Sequence, residues 1–115
     1  MLIHGDLHYW NVHYHRGQLY VLDFEDIALG YPVQDVAITL YYGRQLEGYD
    51  AWRAAFKEGY ASVRPWPAAD EQIIDTLIVA RTVMFINYAI QIDPSPEVFI
   101  QQKCNELADF LRETY

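Results

Sequence analysis

Cysteine is almost absent from this chain, with Cys104 the only one among 115 residues. A single thiol cannot form an internal disulfide, which argues against a disulfide-stabilised secreted domain. The first residues also lack the basic and apolar regions of a secretory signal peptide. We therefore expect a cytoplasmic protein. Cys104 lies among apolar residues in a helical pattern, so we expect it to be buried in the core.

Positive charge is also scarce, since 8 Lys and Arg residues face 16 Asp and Glu residues, for a formal net charge of −8. Nucleic-acid binding depends on basic patches, so we expect no nucleic-acid partner. The longest apolar stretch, residues 73–92, contains Asp75, Arg81 and Asn87. Such polar residues favour a buried core helix over a membrane span. We therefore expect no membrane partner.

The N-terminal quarter of the chain predicts a small β-hairpin. Residues 12–15 and 18–22 contain β-branched and aromatic residues, and the short turn between them contains Gly17. Leu2 and Ile3 resemble the end of a further short strand. The hydrophobic content of 52% predicts a packed core, and the length predicts one domain over residues 1–115.

The rest of the chain predicts four helices. The first follows the break at Pro32 and ends near Gly43, and the third covers residues 69–92 with a broad apolar face. The second and fourth have apolar residues at three- and four-residue intervals. Their predicted inward-facing residues are Tyr49, Trp52, Phe56, Tyr60 and Val63, then Phe99, Ile100, Cys104, Leu107 and Leu111.

Ser95 is the expected N-cap of the fourth helix, with Pro96 at its first position. The predicted class is α+β and mainly α-helical, with the small N-terminal hairpin packed on about four helices.

The residues that suggest chemistry lie between His4 and Asp23. Asp6 is followed five residues later by Asn11, and Asp23 comes where the second hairpin strand ends. A carboxylate that orients a hydroxyl, with an Asn and an Asp that hold Mg²⁺, is what phosphoryl transfer requires. The pattern H-x-D-x-x-x-x-N, then a hairpin, then D-F, has the spacing of a kinase-like catalytic loop and metal-binding loop. Each residue alone could be a turn or loop residue; the joint spacing favours function.

Further polar residues surround this pattern. Glu25 and Asp26 enlarge the acidic cluster, which favours a cation there, although both could instead cap a turn. We expect His4 to fix the loop backbone through a hydrogen bond. His8 could contact a phosphate or substrate, or be solvated. Asp35 could cap its own helix or bind the backbone amides of the catalytic loop.

The histidines also allow a different interpretation. His13 and His15 alternate on a strand and share a face. With His4, His8 and Asp6 they could form a transition-metal site. Their spacing matches no metal motif, so this remains the less favoured alternative.

Three segments, residues 2–11, 21–26 and 30–37, resemble the aminoglycoside phosphotransferase/choline kinase-like family, and they are also similar to the bacterial stress-response Ser/Thr kinases of that superfamily. The resemblance implies a protein-kinase-like fold and ATP- and Mg²⁺-dependent transfer of a γ-phosphoryl group to a hydroxyl of a small molecule or of protein Ser/Thr. By position, Asp6 is similar to the catalytic base and Asp35 to the residue that supports the catalytic loop. Asn11 and Asp23 are similar to the metal ligands.

The family's nucleotide-binding lobe, with its Gly-rich loop and phosphate-binding Lys, has no counterpart in these 115 residues. The chain thus resembles the C-terminal catalytic lobe alone. We expect the chain by itself to be inactive or very weak, and to self-associate through the apolar face that the missing lobe would cover. A non-catalytic remnant that acts as a binding or oligomerisation module is the alternative.

Overall fold

Helices dominate this α+β chain. In the computed structural model, which describes residues 1–115, they account for 60% of the residues. The predicted class, α+β and mainly helical, is confirmed. The strands are β1 (Leu2–Ile3), β2 (Val12–His15), β3 (Gln18–Val21) and β4 (Ala28–Leu29), and the helices are α1 (Pro32–Gly43), α2 (Tyr49–Val63), α3 (Gln72–Ile92) and α4 (Glu97–Thr114), with one turn of 3-10 helix at Tyr9–Asn11.

The core lies where α1 packs on α3 and α3 packs on α4. Leu40, Ile74 and Ile78 are its largest fully buried side chains. Burial of each stabilises the fold by about 1.5–3 kcal/mol. Helix α1 begins at Pro32, as expected for a residue whose missing N–H costs nothing in the first turn. The Gln34 side chain accepts a hydrogen bond from the Tyr31 N–H at 2.7 Å and completes this start.

The strands form two separate antiparallel pairs, β1 with β4 and β2 with β3. The β2–β3 hairpin was predicted, and its register pairs Val12 with Val21 and His15 with Gln18 around the turn. It is not packed on the helices, however, because all its residues are exposed except the half-buried Val12. Only the β1–β4 pair lies against α1. Strand β4 has two residues, which is too short for a sequence signal.

Helix α2 has the predicted bounds, but it packs only through half-buried aromatic side chains. Trp52, Phe56 and Tyr60 follow one another along this face. Val63, predicted to continue it, is exposed because the helix ends there and the chain turns away at Arg64, whose backbone is extended. The prediction for Val63 is therefore wrong.

Helix α4 buries two residues that the periodicity does not predict and exposes two that it does. Cys104 is exposed, and so is Leu111, whereas Lys103 and Phe110 are buried. Lys103 can be buried because its ammonium donates to the Tyr41 hydroxyl at 3.2 Å and pairs with Glu106 at 2.8 Å. The other predicted residues, Phe99, Ile100 and Leu107, are half-buried, so the prediction is wrong for Cys104 and Leu111 only. The helix begins after Pro96, not after Ser95, and no side chain caps it.

Helix α3 is central, as predicted, but its apolar surface is only partly buried. Ile74 and Ile78 are buried, while Val83, Met84 and Tyr88 remain exposed. Helix α3 is long and apolar enough to cross a membrane, but the core helices of soluble proteins can be equally long and apolar.

Candidate active site

The loop between β1 and β2 is fixed by Asp35, from the first turn of α1. The two oxygens of the Asp35 carboxylate accept hydrogen bonds from the N–H of His4 at 2.8 Å and of Gly5 at 2.9 Å. Thr39, one turn further along, donates its hydroxyl to the Leu7 carbonyl at 2.6 Å. Bonds to an ionised carboxylate are stronger than those between neutral groups. The Asp35 side chain therefore holds the loop and does not cap its own helix.

The buried His4 ring joins this loop to the end of the hairpin. Its Nε2 donates to the Leu22 carbonyl at 2.8 Å, and its Nδ1 accepts from the Asp6 N–H at 3.3 Å. Since a carbonyl only accepts and an N–H only donates, the two bonds assign the proton to Nε2. His4 thus fixes the main chain of Asp6.

The Asp6 carboxylate has three side-chain partners. Its Oδ1 forms an ion pair with the guanidinium of Arg81, from α3. Its Oδ2 lies 3.2 Å from His8 Nε2 and accepts from Asn11 Nδ2 at 3.4 Å. An ionised carboxylate offers about four acceptor sites, so these partners orient it and leave room for one further donor. The Asp6 side chain is 21% exposed, so part of the carboxylate can be reached from solvent.

The hairpin register brings Asn11 and Asp23 to the same place. The β2–β3 ladder continues one step beyond the strands, where the Leu22 N–H donates to the Asn11 carbonyl at 2.9 Å. Asp23 follows directly. On the other side, Asn11 Nδ2 donates to the main-chain carbonyl of Asp6 at 3.0 Å. The Asn11 side chain therefore contacts Asp6, and the main chain of Asp23 follows next to Asn11 at the open end of the hairpin, with no side-chain contact between Asp23 and the other two residues.

Asp23 has an unusual backbone conformation and an unpaired side chain. Its φ of 59° is left-handed, which non-glycine residues seldom adopt, although Asp tolerates it better than most. The carboxylate is exposed, and none of the chain's ion pairs involves it. The strained backbone therefore presents an unpaired carboxylate one residue after the partner of Asn11, whose amide nitrogen is engaged and whose amide oxygen makes no hydrogen bond within the chain.

A cleft of about 760 Å³ opens beside Asp6. Glu25 and Asp26, which the sequence adds to the acidic cluster around Asp6, both line this cleft. Asp26 comes very close to the loop at Gly5, where a Cβ atom would overlap the Asp26 carbonyl oxygen. The opposite wall comes from α3 and α1, through Arg81, Met84, Phe85, Tyr88 and Tyr42.

His8 is buried against Asp6 and does not line the cleft. Its ring packs on Tyr42 with the ring centroids 4.2 Å apart, and its Nδ1 has no hydrogen-bond partner. Burial raises the pKa of the Tyr42 phenol above its ordinary value, although the neighbouring Arg81 acts in the opposite direction. The alternative that His8 is solvated is therefore wrong, and its partner is the Asp6 carboxylate, which was not predicted.

The transition-metal interpretation has no geometric support. His13 and His15 lie on the exposed hairpin, and His4 and His8 are engaged in the loop. No group of three or more His, Cys, Asp or Glu side chains is arranged to hold a metal ion.

Arg81 is the site residue that sequence reasoning missed. It lies 75 positions beyond Asp6, and in the sequence it counted only as a charge against a membrane span. A signal was present, because Arg81 is the single cation in the 21 residues of α3. A cation on a core helix needs an acidic partner. The sequence does not say which of 16 acids that partner is.

Comparison with protein families supports the same interpretation as the geometry. The model of the phosphotransferase enzyme family matches residues 1–71, which is more than half of the chain and includes the whole catalytic-loop pattern. The chain therefore belongs to the phosphotransferase enzyme family. Searches among curated proteins and among solved structures gave no match. The matched region ends one residue before α3, so Arg81 lies outside it.

Proposed function

We propose that this chain is the catalytic lobe of an ATP- and Mg²⁺-dependent kinase of this family, with a protein-kinase-like fold. It would transfer a γ-phosphoryl group to a hydroxyl of a small molecule or of protein Ser/Thr. The observation that carries the proposal is the contact of the Asn11 side chain with Asp6, with the free Asp23 carboxylate following directly after the residue that pairs with Asn11. We further propose a cytoplasmic location, without a nucleic-acid or membrane partner.

Asp6 is the proposed catalytic base. Its orientation is fixed from two directions, through the His4 contact with its main chain and the Arg81 contact with its carboxylate. In phosphoryl transfer such a carboxylate accepts the hydrogen bond of the acceptor hydroxyl and takes its proton. Asp6 lines a cleft of about 760 Å³, which is large enough for a small acceptor, or for a Ser or Thr side chain.

Asn11 and Asp23 suit a magnesium ion by the chemistry of their donors. Mg²⁺ prefers oxygen ligands and is usually held by one or two protein groups together with substrate phosphates and water. The free carboxylate of Asp23 and the free amide oxygen of Asn11 are donors of that kind. The ion, when bound, would neutralise charge on the phosphates. Within the chain, the hairpin ladder holds the two donors in register.

The test uses Mn²⁺ as a paramagnetic substitute for Mg²⁺ on the isotopically labelled chain with ATP present. We expect the amide resonances of Asn11 and Asp23 to broaden first, while those of α4 stay sharp. Asp23→Asn should abolish this selective broadening. The matched control is Asp109→Asn, which removes an exposed carboxylate that pairs with Arg112 on α4 and should leave the broadening at Asn11 and Asp23 unchanged. Even broadening over the acidic surface would contradict the proposal.

The 115 residues contain no Gly-rich loop to cover the phosphates, so positioning of the nucleotide would be incomplete. We therefore propose that the chain alone binds Mg·ATP weakly and transfers phosphate negligibly. Sustained ATP-dependent phosphorylation of an acceptor by the purified chain, lost in Asp6→Ala, would contradict this part of the proposal.

A non-catalytic binding module is the second candidate. The exposed hairpin favours it, since Tyr14 and Leu19 form an apolar cross-strand pair that no helix covers. A two-stranded hairpin is marginally stable alone, so a partner surface would stabilise it. Selective Mn²⁺ broadening at Asn11 and Asp23 would favour the enzyme over this module.

A further inference from the structure

Arg81 connects the catalytic loop to a helix outside the family match. Its guanidinium pairs with Asp6 Oδ1, and the Arg81 side chain is 14% exposed. The guanidinium carbon lies 5.0 Å from the ring centroid of Phe85 and 5.9 Å from that of Tyr42. Two aromatic rings and one carboxylate therefore determine where this side chain lies.

Packing alone does not explain a cation at this position. Arg81 Nε is buried without a hydrogen-bond partner, which is unfavourable. Buried ion pairs are often no more stabilising than apolar side chains of similar volume. A Met or Leu would fill the same space beside Phe85 and leave no unpaired N–H group. An apolar side chain would lose the ion pair with Asp6, together with the weaker cation–π contacts to Phe85 and Tyr42.

The position of Arg81 on its helix adds a second observation. Met84, Phe85 and Tyr88 follow it at three, four and seven residues, so all four share one face of α3. That face forms a wall of the cleft. The ion pair thus joins the Asp6 carboxylate rigidly to the surface that an acceptor would contact.

We propose that Arg81 is a positioning residue, which fixes the Asp6 carboxylate relative to the α3 wall of the cleft. This role rests on the function proposed above, because it assumes that Asp6 acts on an acceptor in that cleft. Arg81 acts through Asp6 and is not itself assigned to the reacting atoms. Without it, Asp6 would keep only the longer contacts with His8 and Asn11.

The experiment compares Arg81→Met, Arg81→Lys and Arg53→Met in the labelled 115-residue chain. Arg53 is the matched control, since it pairs with Glu71 at 2.9 Å and is 28% exposed, on a helix away from the loop. The measurements are the hydrogen-exchange rates of the Gly5 and Asp6 amides and the side-chain resonances of His8 and Asn11. Exchange at core residues reports on general destabilisation.

For Arg81→Met we expect exchange of the Gly5 and Asp6 amides to rise about tenfold relative to the core amides. The His8 ring and Asn11 amide resonances should shift in the same variant. Arg81→Lys retains the positive charge and should restore most of both signals. Arg53→Met should lower thermal stability and leave the loop signals in place.

Two results would overturn the proposal: wild-type loop signals in Arg81→Met, or equal loop effects in Arg53→Met. If Arg81→Met does not fold, Asp6→Asn tests the same pair from the other side. It should shift the Arg81 Nε–Hε resonance, and an unchanged resonance would also overturn the proposal. None of these readouts requires nucleotide, so failure of the Mn²⁺ test with intact loop effects would reject the enzyme function alone.

Discussion

The loop between β1 and β2 comes so close to Asp26 at Gly5 that the cost of adding a Cβ atom there can be estimated from the structure. Gly5 has a φ of +83°, and a Cβ atom there would overlap the Asp26 carbonyl oxygen and lie 3.1 Å from its carbonyl carbon. Gly17 in the hairpin turn has nearly the same φ, +80°, but nothing lies within 4 Å of its Cβ position. The two glycines therefore differ in their surroundings and not in their backbone.

Gly17→Ala should cost only the left-handed strain, roughly 1–2 kcal/mol of unfolding free energy. Gly5→Ala adds the overlap with a main-chain oxygen that cannot rotate away, which costs about a further 1–3 kcal/mol. The reduction of unfolded-chain entropy by an alanine is the same at both sites and cancels in the comparison. We therefore expect Gly5→Ala to be clearly the more destabilising change.

The assay is urea denaturation of both variants and the wild type, followed by tryptophan fluorescence and circular dichroism. The comparison is valid if the slope of the unfolding free energy with urea concentration is the same in all three proteins, because the midpoint then reports stability alone. Amide shifts at Asp26 should move in Gly5→Ala and stay fixed in Gly17→Ala. Equal losses of stability in the two variants would refute the reasoning, since the Asp26 contact would then carry no energy.

Two further expectations follow from the surface of the fold. Burial acts to raise the pKa of Glu71, but hydrogen bonds from Lys57, Arg53 and Trp66 outweigh it and hold the pKa below its ordinary value. The stability from this lowered pKa is present at neutral pH and is lost as pH falls through the titration range of Glu71. Melting curves of wild type and Glu71→Gln should thus converge at acidic pH, and a constant difference between them would contradict the assignment. The apolar β1–β4 edge, with Leu29 83% exposed, should promote self-association that Leu29→Lys reduces; light scattering showing a wild-type monomer over a wide concentration range would contradict this.

The sequence predicted the elements that have strong local signals. Helix α2 has the bounds that the aromatic spacing and the closing prolines indicate, and the hairpin lies where Gly17 predicts a turn. Those features depend on a few neighbouring residues, so a single sequence contains them. The packing of the elements does not depend on local signals, and there the prediction was less accurate.

Helix α4 shows why. Its apolar periodicity places Cys104 inward, and the structure places Lys103 there. The choice is made by Tyr41, on a different helix, whose hydroxyl and ring both face the ammonium. A prediction from periodicity assigns a lysine to the exposed face. It contains no information on a partner 62 positions away in the sequence. The prediction that the hairpin packs on the helices is wrong for a related reason. Its sequence pattern indicates strands but does not indicate which surface, if any, covers them.

The candidate site combines both kinds of information. Asp6, Asn11 and Asp23 could be chosen from the sequence because their spacing is short and the hairpin register converts it directly into proximity. The orientation of the Asp6 carboxylate could not, since it depends on Arg81 from a helix that follows only after α2. A spacing motif therefore specifies which groups meet, while the tertiary fold specifies how the carboxylate is turned. If the Arg81 contact proves dispensable, the orientation of Asp6 must come from the loop itself, through Asp35 and His4, and the site would then be a local structure that α3 only covers.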